Sequence, residues 1–148
     1  MDEEITWKQL LNYHLGKPDK PLKRKKEIQD EYDKYINMLK SNGMSINKYI
    51  IGVWFSGENC EKKFLITKNK FPYNLEKSIT HLLVWINPLN KASQENIIEY
   101  INNKCLPNSF VMFKNSPYKD ESSVSIVSHY HLFIKDNIPD DIINKSEI

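Results

Sequence analysis

The sequence predicts an α+β domain in which one mostly antiparallel sheet packs against about three helices, gathered on one face of the sheet. Three observations predict it. Apolar residues keep helical spacing through the N-terminal third. From Lys48 onward the pattern turns to β-branched and aromatic runs. Most of the connections between those runs are short, and short connections favour antiparallel pairing. A length of 148 residues suits one domain. It divides into a helical segment over 1–45, a sheet with one helix over 46–135 and a polar tail over 136–148, which is expected to fray.

The first helix is expected over 6–14. Thr6 with Gln9 forms a capping-box pattern, and Trp7, Leu10, Leu11 and His14 lie on one face. Gly16 and Pro18 stop it. The second helix is expected over about 21–41, with Ile28, Tyr32, Tyr35, Ile36 and Leu39 as its stripe and Asn42-Gly43 as its end. Lys20, Lys23, Arg24, Lys25 and Lys26 fall at its start, where positive charge opposes the helix dipole at a cost of about 0.3 kcal/mol or more. They form either a solvated basic face or an anion contact. Residues 49–55 and 62–67 read as paired strands around a turn at Gly57-Glu58-Asn59. Residues 69–73 form a loop or edge because Pro72 cannot donate to a central ladder. Residues 79–86 are a strand closed by Asn87-Pro88. Ser93 caps a third helix through about Lys104, with Ile97, Ile98 and Ile101 buried, before strands over 110–113 and within 124–135.

Composition narrows the function classes. At 40% hydrophobic and 11% aromatic, the chain is not of the disordered kind. A net charge of +2 exerts no global pull on nucleic acid or anionic membrane. No run of about 18 apolar residues is present, so no membrane partner is expected. The acidic start lacks an apolar signal core. Cys60 and Cys105 form neither a CxxC pair nor a zinc pattern, and read as reduced thiols of a cytoplasmic protein. There is no GxGxxG, GxxxxGK[ST] or GxSxG.

The chemistry-bearing segment is His129-Tyr130-His131. In a strand, residues i and i+2 share a face, so the two imidazoles stand side by side. His81, Leu83 and Trp85 share a face of the preceding strand. Were the two strands neighbours, His81, His129 and His131 would converge, able to act as acid and base or to hold a divalent metal ion. Each is equally readable as a half-buried, hydrogen-bonded strand histidine, and no metal is assigned. An HxH between apolar residues also resembles the motif of rolling-circle nucleases, but no tyrosine follows His131 to serve as nucleophile. Trp54 and Trp85 are candidates for stacking on a base, or are simply core.

The order of segments resembles the N-acetylglucosamine-induced-protein family, a domain of unknown function found in fungi and some large DNA viruses. The resemblance rests on Ile5-Thr6-Trp7-Lys8-Gln9-Leu10, on Leu22-Lys23-Arg24 with Tyr32, and on Asn69-Lys70-Phe71-Pro72-Tyr73. It continues in His81-Leu82-Leu83-Val84-Trp85, Phe113-Lys114-Asn115, Ser123-Val124 and His129-Tyr130-His131. Lys70 stands where the family tends to have Asp. The resemblance implies that Arg24, Asn69, Tyr73, His81, Trp85, Asn115, His129 and His131 belong together.

Such groups suit a small phosphorylated or nucleotide-like ligand. Arg24 would pair with the anion, Asn69, Tyr73, Trp85 and Asn115 would hold the ligand, and His81, His129 and His131 would carry any chemistry. The alternatives are a nucleic-acid or mRNA-cap-binding module using stacked tryptophans, and a protein-interaction module using the basic turn at Lys23, Arg24 and Lys26.

Overall fold

The computed structural model describes residues 3–17, 20–43, 55, 61–87, 90–114, 129–139 and 141–143. Among them are three helices, α1 (Trp7–His14), α2 (Lys26–Ser41) and α3 (Gln94–Asn102). Four strands, β1 (Phe64–Lys68), β2 (Ile79–Ile86), β3 (Phe110–Phe113) and β4 (His129–Lys135), form a sheet in the order β1-β2-β4-β3. Every neighbouring pair is antiparallel. Strands β2 and β3 run the same way, joined through α3, and β4 lies between them.

Register decides the two faces. Leu83 stands opposite His131, His81 opposite Phe133 and Trp85 opposite His129. Phe113 stands opposite His131 on the other side of β4. One face therefore carries Leu65, Thr67, Ile79, His81, Leu83, Trp85, Val111, Phe113, His129, His131 and Phe133. The opposite face carries Ile66, Leu82, Val84, Met112, Tyr130, Leu132 and Ile134, which pack with Ile97 and Ile101 of α3. On the histidine face, Leu10 and Tyr13 of α1 pack with Ile79, Val111, Phe113 and Phe133.

Helices thus cover both faces, not the single face expected. The signal was the run His81-Leu82-Leu83-Val84-Trp85-Ile86, which lacks apolar–polar alternation because both of its sides are covered. Three local expectations also change. In α1 the capping box forms as expected, with the Gln9 amide donating to Thr6 Oγ1 at 3.2 Å and the Thr6 amide to Gln9 Oε1 at 2.8 Å, but the buried face differs. Its buried face is Leu10 and Tyr13, while Leu11 is 37% exposed and His14 lies outside, bonded through Nδ1 to the Met112 carbonyl.

Helix α2 begins at Lys26, because the preceding segment is extended and its Lys23 carbonyl accepts from the Asn74 amide at 2.9 Å. Most of the basic cluster therefore precedes the helix, and the first turn carries Glu27, which suits the dipole. Gly43 closes α2 at φ 69°, the left-handed conformation in which glycine is favoured. The segment after β4 does not fray at once: Ile142 is fully buried with the α3 core, and Lys104 pairs with Asp141 at 2.6 Å. The paired strand and turn expected over 49–59 lie almost wholly outside the described residues, as do 124–128 and 144–148.

The α3-side core carries much of the fold's stability. Ile101→Ala should lower the unfolding free energy in urea by about 2–5 kcal/mol. Leu11→Ala on the outer side of α1 should stay within about 1 kcal/mol of the parent protein. Equal losses at the two positions would contradict this packing.

Candidate functional site: a roofed histidine pair

The site is built where the loop after β1 folds over the histidine face. The loop starts with the Asn69 amide donating to the His81 carbonyl at 3.0 Å. Asn69 Oδ1 accepts from the Phe71 amide at 2.9 Å, turning the chain. Arg24 Nε–H donates to the Phe71 carbonyl at 2.7 Å, and the Phe71 ring packs on Tyr32 and Tyr35 of α2 at 5.4 and 5.5 Å. Further along, Ile5 and Leu75 form a parallel bridge, with the Ile5 amide on the Asn74 carbonyl at 2.7 Å and the Glu76 amide on the Ile5 carbonyl at 3.0 Å. Asn74 Nδ2 donates to the Glu3 carbonyl at 3.0 Å, and Glu76 Oε1 accepts from the Trp7 amide at the start of α1. Residues 3–7 thereby hold the far end of the loop, and Arg24 holds it at Phe71.

Tyr73 is the roof. Its ring centroid lies 4.6 Å from that of His81, 5.4 Å from that of His131 and 6.1 Å from that of Phe133. Beneath it, His81 and His131 are joined by a hydrogen bond of 2.9 Å between His81 Nε2 and His131 Nδ1. They are 3% and 8% exposed. The Tyr73 amide, which can only donate, bonds His81 Nδ1 at 3.2 Å. The Asn69 side-chain Nδ2 lies 3.3 Å from both nitrogens of the same ring.

The Tyr73 amide assigns the protons. With Nδ1 accepting, His81 carries its proton on Nε2 and gives it to His131 Nδ1. His131 then carries its own proton on Nε2, which has no hydrogen-bond partner among the described residues. The relay runs from a backbone amide through two imidazoles to the His131 Nε2–H.

Both rings are held neutral. Burial pushes His81 well below the ordinary 6.5, aided by the neighbouring His131, Arg24 and His129. Burial likewise pushes His131 down to about 3, with help from His129 and Arg24. No carboxylate acts on either ring among the described residues.

The remaining groups border this pair. His129 is half-buried; its ring lies 5.5 Å from His131 and 4.7 Å from Trp85. Trp85 is 4% exposed, and its indole N–H donates to Thr67 Oγ1 at 3.2 Å. The Arg24 guanidinium lies 4.3 Å from the Tyr32 centroid and 5.5 Å from the Tyr73 centroid, and Nη1 reaches Gln29 at 3.5 Å. Leu83, opposite His131, is half-exposed on the same face.

Arg24, Asn69, Tyr73, His81, Trp85, His129 and His131 are therefore brought together. Asn115 and Trp54 lie outside the described residues. No cluster of three or more His, Cys, Asp or Glu among the described residues is arranged to hold a metal ion. The nitrogens by which His81 and His131 would share one are already bonded to each other. Sequence reasoning missed Thr67, whose signal was a polar residue on the inward side of Phe64-Leu65-Ile66-Thr67. It also missed the Tyr73 amide, since a backbone group leaves no mark in residue type.

The sequence profile of a protein family described as of unknown function, DUF3605, matches residues 6–135, a span that holds every described residue of the site. A comparison with curated proteins gives no match. Among solved structures, one titled "Crystal Structure of HTC1" is similar in fold, with a TM-score of 0.57 and 21% identity, covering 89% of this chain and 85% of that one.

The buried pair makes stability depend on pH. Folding lowers both histidine pKa values, so below 6.5 the unfolded chain binds more protons than the folded one. The stability is present above that value and is lost as the pH falls through it towards the folded values. Urea unfolding should be about 2 kcal/mol weaker per histidine at pH 5 than at pH 7, or about 4 kcal/mol for the pair. A flat profile over that interval would contradict the assignment of two buried neutral rings.

Proposed function

The chain belongs to the DUF3605 family, and from its site we propose that it is a small intracellular domain that binds or processes a phosphorylated or nucleotide-like ligand at a histidine-centred pocket. The observation that carries this reading is the His131 Nε2–H, fixed by its relay and lying in the field of Arg24 and His129. The charges that add to burial in lowering both pKa values favour an incoming anion. A neutral imidazole locked as a donor suits a phosphoryl oxygen, much as neutral histidines polarise oxygens in other active sites. His81, with both nitrogens bonded, orients His131, while the half-buried His129 is placed to act as acid or base.

Arg24 supplies positive charge and holds the loop through Phe71. Trp85 offers little free ring surface to a stacked base, which favours the phosphate end of a nucleotide as the part recognised. We also read the chain as N-acetylglucosamine-induced-protein-like, on its 81–85 strand and its His129-Tyr130-His131 segment.

Calorimetric titration with inorganic phosphate and a panel of nucleoside monophosphates tests the proposal. Losing a charge-assisted hydrogen bond costs about 1.5–3 kcal/mol, so His131→Phe and His129→Gln should each weaken binding by roughly 10- to 100-fold with the circular dichroism spectrum unchanged. Binding equal to that of the parent protein in both variants, or no binding of any of these anions to the parent, would overturn it.

A further inference from the structure

Thr67, Trp85 and His129 form a second chain of contacts on the histidine face, separate from the Tyr73–His81–His131 relay. Thr67 is 1% exposed and has a polar oxygen on an otherwise apolar inward side of β1. Its register partner is Leu83, so it stands diagonally from Trp85, which pairs with Leu65. The 3.2 Å bond from the indole N–H to Thr67 Oγ1 anchors the Trp85 ring. That ring lies 4.7 Å from His129 with 33° between the planes, presenting its π-face to the imidazole. A π-face attracts a cation more than a neutral ring, and tryptophan does so most strongly.

We infer that Trp85, anchored by Thr67, is a positioning residue that stacks on His129 and favours its cationic form, so that the site meets an anion with one neutral donor, His131, and one imidazolium, His129. The inference deepens the reading of this site as an anion site and rests on it. The opposite environments explain how two histidines on one strand divide the work. His131 lies under the Tyr73 roof beside Phe113 and Phe133, whereas His129 is half-buried against an electron-rich ring. Arg24, His129 and His131 couple to His81, Arg24 and His129 couple to His131, and burial keeps both of these rings neutral.

The test is a histidine titration by two-dimensional NMR of the ligand-free protein, set beside phosphate binding to the same samples. Replacing Trp85 with Phe should lower the His129 pKa, and Trp85→Leu should lower it further, by about half a unit or roughly threefold in proton affinity. Thr67→Val, which keeps the shape and removes the acceptor, should also lower it, and Thr67→Ser should restore it. Should Trp85→Leu fail to fold, Trp85→Phe and Thr67→Val carry the comparison. A His129 pKa unchanged in both would overturn the inference while leaving phosphate binding intact. A lowered pKa in a protein whose parent binds no phosphate would uphold the Trp85–His129 coupling and overturn the anion-site reading.

Discussion

The hydrogen bond between His81 and His131 is the contact on which the rest of the site depends. Two imidazoles stand at adjoining positions of neighbouring central strands, almost out of reach of water. Burying such groups is costly unless each polar atom is matched. For His81 the match comes from outside the sheet: the Tyr73 amide satisfies His81 Nδ1, and Asn69 lies against the same ring. The loop that brings them is itself held by Ile5, Asn74, Glu76 and Arg24. The N-terminal segment therefore does more than cover a hydrophobic face. It closes the roof under which the imidazoles stay neutral.

The two faces of the sheet differ in what they pack. On the α3 face Ile66, Leu82, Val84, Leu132 and Ile134 meet Ile97 and Ile101. On the other face the apolar packing of Leu10, Tyr13, Val111, Phe113 and Phe133 gives way to His81, His131, His129, Thr67 and Trp85. Aromatic rings join the two parts, since Phe133 stacks on His81 at 4.4 Å and Phe113 lies 6.2 Å from His131. The apolar end holds the sheet rigid against α1, so the imidazoles are aimed by strands whose own positions are determined by packing.

Much of this architecture is legible in the residues themselves. Alternation in His129-Tyr130-His131 and His81-Leu82-Leu83 places the imidazoles on one face whenever the strands are neighbours, as they are. Thr6 with Gln9 marks the start of α1, and Asn42-Gly43 the end of α2. What escaped was set by partners distant in sequence. The start of α2 is displaced to Lys26 because Lys23 pairs its carbonyl with Asn74. Coverage of both faces depends on where α3 crosses, and burial of Ile142 on its packing in the α3-side core. The proton positions in the histidine pair follow from one backbone amide, which no pattern of side chains encodes.

The most direct test reads the ring nitrogens themselves. Long-range proton–nitrogen correlation NMR near neutral pH distinguishes the two neutral tautomers from the imidazolium. The structure requires His81 and His131 both to be neutral with the proton on Nε2, and a coupling across the hydrogen bond from His81 Nε2–H to His131 Nδ1. A charged ring, or an Nδ1–H form at either residue, would contradict the relay and with it the donor that the site presents.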